Sequence, residues 1–378
     1  MKKKIPLFAA AFLLACVTSS HAAVLSTPAT HAILLDAGTG TVLLDKNADD
    51  RMPTSSMSKV MTLYMVFDAL KKGQLKLNDN LPVSEKAWRM GGSKMFIKVG
   101  SRVKVEDLIR GVAIQSGNDA TVALAEGLAG SEEAFAGHMN SRAREMGMTN
   151  SHFMNASGWP VQEHYSTPRD LSLLAFRMLA DFPEHYHYFG EKEFTYNRIH
   201  QFNRDPLLGK VTGADGIKTG HTEIAGYGLI GSASRGGRRL ILVINGLQSE
   251  KQRAEEGTKL LEWGFRDFES RKILKKGDPV AEAEVWLGQE DKMPLVAETD
   301  MTAILPVIGR ENVRMTAIYE APLIAPVRKG VLAGKLRIEI PDQLPVEVNL
   351  LTGKRVGRKG ISGRVMDRFF YLLREYRR

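Results

Sequence analysis

Ser56 and Lys59, in the stretch Thr54-Ser55-Ser56-Met57-Ser58-Lys59, set an alcohol and an amine three residues apart. On a helix that spacing puts both on one face, a turn apart. A serine hydroxyl is a poor nucleophile until a neighbouring base takes its proton. An exposed lysine, with a pKa of about 10.4, is charged at neutral pH and cannot be that base. Burial penalises the ammonium and lowers the value. The sequence supplies the burial: Val60, Met61, Leu63, Tyr64, Met65, Val66, Phe67, Ala69 and Leu70 predict a helix apolar nearly all round, closed by Lys71, Lys72 and Gly73. Free N–H groups at the start of such a helix favour an oxyanion beside Ser56. The pair thus offers a nucleophile with a base beside it. Ser-x-x-Lys also arises by chance, and a serine N-cap before a surface lysine is the plain alternative.

Two further stretches carry chemistry in the same order along the chain. Ser116-Gly117-Asn118-Asp119 falls between a helix from Val105 to about Gln115 and another from Ala120 to Leu128. It presents a hydroxyl and an amide from one tight corner, although these are also ordinary turn residues. Asp215-Gly216-Ile217-Lys218-Thr219-Gly220-His221-Thr222 precedes Gly226–Ile230 and Leu240–Ile244, which read as successive strands. Lys218-Thr219-Gly220 on a strand places a cation and a hydroxyl on one edge, with a glycine where a ligand backbone needs room. A substrate ending in a free carboxylate needs a fixed cation, and Lys218 supplies one.

Together the three motifs resemble the penicillin-binding protein and serine β-lactamase superfamily. Asn155-Ala156-Ser157-Gly158, Ser166-Thr167-Pro168-Arg169-Asp170-Leu171 and Trp263-Gly264-Phe265 look like low-molecular-mass D-alanyl-D-alanine carboxypeptidases in particular. The resemblance spans roughly Thr30 to Phe268 and continues more loosely to the C-terminus. It implies an α/β (α+β) catalytic domain with a central antiparallel sheet and a helical subdomain. It also implies roles. Ser56 forms the acyl-enzyme, Lys59 is its base, and Ser116 relays a proton to or from the leaving D-alanine. Asn118 orients the substrate amide, and Lys218 and Thr219 hold the terminal carboxylate. The backbone beyond Gly220, at His221, joins Ser56 in an oxyanion hole, and the peptide adds to the sheet edge. Arg253 is a further carboxylate contact on weaker grounds. The implied partners are peptidoglycan stem peptides and, as covalent inhibitors, β-lactams.

The rest of the chain sets the context. Lys2-Lys3-Lys4 followed by the apolar run Ile5–Val17 reads as a secretory signal over residues 1–23, cut near Ala23 or Val24. Leu13-Leu14-Ala15-Cys16 faintly resembles a lipoprotein box and ranks second. Cys16 is the only cysteine, so the mature chain has no disulfide, thiolate metal site or cysteine nucleophile. The formal charge of +9 falls to about +6 without the leader lysines, which suits an anionic surface. The histidines show no zinc-site spacing, and Glu184-His185-Tyr186-His187 reads as ordinary loop. No metal, nucleotide cofactor or nucleic acid is expected.

His31–Asp36 and Thr41–Asp45 read as a hairpin across Ala37-Gly38-Thr39-Gly40, and Asn78–Val105 as loops and short strands. The catalytic domain is placed at 24–270. Ser270–Pro279 reads as a polar, basic linker. Residues 279–360 read as a small all-β domain, with inward faces Val313/Met315/Ala317, Leu336/Ile338/Ile340 and Val346/Val348/Leu350. Residues 363–378 form a basic amphipathic pattern, with Phe369, Phe370, Leu372 and Leu373 opposite five arginines. That pattern predicts a helix lying on the inner-membrane surface, or alternatively one docked on its own protein.

The expected protein is a periplasmic serine D-Ala-D-Ala carboxypeptidase. One alternative is a β-lactamase of the same fold, whose deacylating glutamate would have to be Glu163. The other is a catalytically silent cell-wall-binding protein.

Overall fold

The computed structural model describes residues 25–308, 312–341, 343 and 345–375, with 370–375 described by backbone alone. The proposed leader, with Cys16, lies outside the described residues.

A five-stranded antiparallel sheet organises the first part of the chain. Its spatial order is Val42–Lys46, His31–Asp36, Arg238–Leu247, Gly226–Arg235, Ala214–Thr222. The run Leu240-Ile241-Leu242-Val243-Ile244 is apolar throughout because both faces of the sheet are covered. Ile241 and Val243 join the larger core with Ile33, Ile217 and Ile230, whereas Leu240, Leu242 and Ile244 pack with Leu260 and Leu261 of the helix Glu250–Arg266. Each large side chain buried this way contributes roughly 1.5–3 kcal/mol.

Between the second and third strands of the chain order in this sheet comes a helical layer. Its centre is the helix Lys59–Lys71, preceded by one 3-10 turn at Ser55–Ser58. Val60, Met61, Leu63, Val66 and Phe67 are all fully buried, as an all-round apolar helix requires. Around it stand Val105–Ala113, Asn118–Ala129, Glu132–Met146 and Pro168–Asp181. The last starts as its sequence predicts, with the Thr167 side chain accepting from the Asp170 N–H and Pro168 in the first turn.

Three local readings are corrected. The stretch 78–105 contains a short helix, Glu85–Arg89, which starts because Ser84 caps the Ala87 N–H. Polar Arg271 and Lys272 belong to a strand, Phe268–Leu274, paired with Met301–Pro306; the exposure of Ser270, Arg271 and Lys272 in this two-stranded ribbon gives it the texture of a linker. Glu184–His187 leads into a 3-10 turn, Tyr186–Gly190, in which Tyr186, Tyr188 and Phe189 are buried.

Beyond Asp278, the strands other than Met301–Pro306 form a six-stranded sheet ordered Arg314–Tyr319, Leu332–Glu339, Val346–Thr352, Lys292–Ala297, Pro279–Trp286, Leu323–Ile324. Leu336, Ile338, Ile340, Val348 and Leu350 face its core. Met315 does not: it is 57% exposed, because Arg314–Tyr319 is an edge strand whose end is left uncovered. A final helix spans Ile361–Glu375, with Val365, Met366 and Phe369 more than half exposed.

Candidate active site

Ser56 lies in the 3-10 turn at the head of the buried helix, and Lys59 is that helix's first residue. Lys59 Nζ stands 2.8 Å from Ser56 Oγ and donates to the Ser157 carbonyl at 2.6 Å. The lysine is fully buried. That burial, reinforced by the charge of Arg204 and opposed by Glu132 and Asp119, lowers its pKa to about 7. A neutral amine is therefore within reach near physiological pH, the condition for a general base.

The turn is held from three sides. Ser55 has φ +49, a left-handed conformation that costs a non-glycine residue roughly 1–2 kcal/mol. Thr54 Oγ1 and Ser58 Oγ are 2.6 Å apart, and Ser58 Oγ is 2.7 Å from His164 Nε2. His164 Nδ1 accepts from the Met154 N–H, so Nε2 carries the proton and donates to Ser58. Burial, with the charges of His152 and Lys59, lowers this imidazole's pKa to about 4 and keeps it neutral. On the sheet side, a Cβ at Gly220 would lie 3.0 Å from the Thr54 carbonyl and 3.2 Å from Ser55 Cβ. The glycine expected to admit a ligand backbone instead admits the nucleophile's own turn.

Ser116 also has a left-handed backbone, φ +64, and its buried hydroxyl has no hydrogen-bond partner. A free, desolvated hydroxyl suits a proton relay. Asn118 is anchored by donating to the Gly91 carbonyl at 2.8 Å. Asp119, to which the sequence assigned no role, accepts from the N–H groups of Met95, Phe96, Ile97 and Ala120. That cage fixes the Ser116–Asn118 corner against the 93–97 loop. Gly117 is required there, since a Cβ would come within 2.9 Å of Asp119 Oδ1.

Lys218 and Thr219 lie on Ala214–Thr222, the edge strand of the sheet, paired only with Gly226–Arg235. Lys218 is buried, and Nζ donates to the Thr219 carbonyl at 3.0 Å. Burial, then the charges of Lys59, Arg204 and Arg253, push its pKa well down, against a pull from Asp205. A negative charge placed beside it would favour its ammonium form. Arg253, on the helix Glu250–Arg266, is 5% exposed, and its guanidinium sits 5.6 Å over the Tyr227 ring with Nε unpartnered. His221 stacks on the same ring at 3.9 Å with its side chain exposed.

Several site residues carried no signal in the sequence. Arg204, bound to Ser93 Oγ at 2.6 Å, is felt electrostatically by both Lys59 and Lys218. Asp205 is buried beside Lys218 and Arg253. Its Oδ2 is unpartnered, and burial raises its pKa to about 6. Lone charged residues in a loop look alike until folding gathers them. Ser157 and Gly158 sat in a recognised motif, and only the fold gives them work. Glu163 has an exposed side chain, and its carbonyl accepts from His152 Nδ1. No contact among the described residues brings its carboxylate to Ser56.

A half-buried serine against a fully buried lysine, a hydroxyl-bearing corner and a cationic strand edge define a serine acyl-transfer site in a penicillin-binding-protein fold. A family model described as D-alanyl-D-alanine carboxypeptidase matches residues 17–249, and one for the penicillin-binding protein 5 C-terminal domain matches 268–358. The chain belongs to the D-alanyl-D-alanine carboxypeptidase family. It is 39% identical over 343 residues to D-alanyl-D-alanine carboxypeptidase DacC of Escherichia coli (strain K12), covering 89% of this chain and 86% of that one. Its fold is similar to the crystal structure of D-alanyl-D-alanine carboxypeptidase DacD from Francisella tularensis, with TM-score 0.81 and 30% identity over 89% of this chain and 95% of that one. It is also similar to penicillin binding protein 5 from Haemophilus influenzae, with TM-score 0.73 and 36% identity over 88% and 99% of the two chains.

Proposed function

We propose that this chain is a serine-type D-Ala-D-Ala carboxypeptidase that removes the terminal D-alanine from peptidoglycan pentapeptide stems. The observation that carries this reading is the buried Lys59 amine, 2.8 Å from Ser56 Oγ with its pKa lowered to about 7. Ser56 Oγ attacks the carbonyl carbon of the penultimate D-alanine while its proton passes to Lys59. The C–N bond then breaks, and the departing amine takes a proton through Ser116. Water hydrolyses the ester, which frees Ser56. The N–H groups of Ser56 and His221 hold the oxyanion.

Specificity for a free C-terminus follows from charge. Lys218, Thr219, Arg253 and Arg204 surround the place of the terminal carboxylate, and Asn118 orients the preceding amide. β-Lactams, which present a strained amide and a carboxylate, acylate the same serine. The exposed Glu163 argues against the β-lactamase alternative, and the complete reactive set argues against a silent binding protein. The enzyme works in the periplasm, with the helix from Ile361 lying on the inner-membrane surface; among the described residues no helix is long and apolar enough to cross a membrane.

The test is release of D-alanine from a diacetyl-lysyl-D-alanyl-D-alanine peptide, together with labelling by a fluorescent penicillin. Both are expected in the wild type and lost in Ser56→Ala. Ser58→Ala, which removes a hydroxyl committed to Thr54 and His164, keeps the label. A label that survives in Ser56→Ala refutes the nucleophile assignment.

A further inference from the structure

One buried carboxylate beside the cationic strand edge takes no part in the steps above. Asp205 follows Arg204 in the loop between the strands Ile199–Phe202 and Ala214–Thr222, and it is 7% exposed. Its Oδ1 accepts from the Leu207 N–H at 2.9 Å, and its own N–H donates to Asn203 Oδ1. Its Oδ2 is buried with no hydrogen-bond partner, and so is Arg253 Nε. The buried Lys218 amine donates to the Thr219 carbonyl.

A carboxylate pinned by several direct donors is indifferent to a ligand nearby. Asp205 has one such donor, so its ionised form depends on charges at longer range. From the edge strand, Lys218 favours ionisation and Asp215 opposes it; from the helix Glu250–Arg266, Arg253 favours it. Behind these, Glu250 acts on Arg204 and Arg253, and Lys59 acts on Lys218. Asp215 is itself engaged by Arg239 at 2.7 Å and by the Tyr186 hydroxyl at 3.1 Å. His221 stands exposed against the Tyr227 ring, which also carries the Arg253 guanidinium. Among the charges acting on Lys218, Asp205 is the one that favours its ammonium form.

A carboxylate arriving at Lys218 takes over that part and repels Asp205. Like charges about 8–10 Å apart at an effective dielectric of about 20 weaken one another's binding by about tenfold or more. Burial has already raised the Asp205 pKa to about 6, so one more negative charge carries it toward neutrality.

We propose that Asp205 is a positioning residue that couples carboxylate binding to proton uptake: ionised in the empty site, where it holds Lys218 charged, and protonated once the ligand's carboxylate replaces it as counter-charge. The proton comes from solvent and returns there as D-alanine leaves. The proposal rests on the terminal carboxylate lying at Lys218, and adds a grip on it that tightens in acid. A site that holds its proton more firmly in the complex binds ligand better as pH falls. The Kd is therefore flat below about pH 6, rises by up to tenfold per pH unit above it, and then levels off.

The test uses Ser56→Ala, which binds without turnover, with diacetyl-lysyl-D-alanyl-D-alanine or its C-terminal amide. Calorimetry from about pH 5 to 8, in two buffers of different ionisation heat, reads Kd and proton uptake together. Uptake approaching one proton near pH 7 is expected for the acid peptide and none for the amide. Adding Asp205→Asn is expected to abolish the uptake and flatten the Kd. Infrared difference spectra of Ser56→Ala are expected to gain a protonated-carboxyl band with the acid peptide, a reading that needs no change at Asp205. Absence of that band, a Kd flat with pH, or uptake that persists in Asp205→Asn overturns the proposal. An amide that binds as tightly as the acid overturns it together with the carboxylate placement. Release of D-alanine by the wild type keeps the carboxypeptidase reading standing in each case, whereas no release overturns that reading too.

Discussion

Gly158 lies so close to Ser55 that a Cβ on it would stand 1.8 Å from the Ser55 carbonyl oxygen. Its φ of +76 adds a conformation that L side chains avoid. The loop that supplies the Ser157 carbonyl to Lys59 is thereby pressed onto the turn that carries Ser56. Gly158→Ala must move one of them. It is expected to cost at least about 1 kcal/mol of stability and to slow acylation, read as a lowered Tm and slower penicillin labelling. Wild-type values on both counts would show that the contact is slack.

Lys59 acts as a base only when neutral, so acylation should rise with pH through about 7, the value set by its burial. A stopped-flow pH profile of penicillin acylation reads this. Lys59→Arg stays charged across the range, and its rate is expected to fall by a factor of order a hundred or more, with the rising limb gone. A limb that persists in Lys59→Arg would assign the titration to another group.

If Lys218 holds the terminal carboxylate, as proposed, deleting either partner should remove one and the same interaction. Lys218→Ala, or amidation of the substrate's C-terminus, is expected to lower kcat/KM by roughly ten- to a hundredfold. Combining the two should cost little beyond either alone. Simple additivity would place the carboxylate elsewhere.

His164 is kept neutral by burial, its pKa falling from 6.5 to about 4. Between those values the unfolded chain binds the extra proton and the folded chain does not. Stability therefore falls as pH drops from 6.5 toward 4, by about 3 kcal/mol at the lower end. Asp205, with its pKa raised to about 6, acts in the opposite sense over much of that window, so the informative comparison is between variants. His164→Gln is expected to show a shallower loss in urea unfolding between pH 6.5 and 4. An identical slope would show that His164 does not titrate there.

The helix from Ile361 bears exposed Val365, Met366 and Phe369, while Asp367 is tied to Lys359 at 3.1 Å. A chain ending at Gly360 is expected to stop sedimenting with anionic liposomes and to cleave soluble peptide at the full rate. Continued sedimentation would place the anchor elsewhere. A lowered Tm would mark the helix as docked on its own protein.

Local chemistry made much of this protein legible from sequence. Val60 to Leu70 could form only a buried helix, and Leu240 to Ile244 only a strand covered on both faces. The pair Ser56 and Lys59 already stated a need for a dry environment. Thr167 and Pro168 marked a helix start that any backbone would respect. These are contacts within a few residues, or patterns of period two and 3.6, and neighbours in sequence are enough to express them.

What only the tertiary structure decided is long-range placement. Ser157 reaches Lys59 across 98 positions, and His164 reaches Ser58 across 106. Arg204 and Asp205, unremarkable in their loop, acquire meaning when Lys218 and Arg253 arrive from a strand and a helix. Gly220 shows the same limit from the other side, since its role depends on which backbone lies against it. A lysine's pKa, a glycine's necessity and a hydroxyl's lack of partners are properties of the surrounding volume, and distant segments fill that volume only on folding.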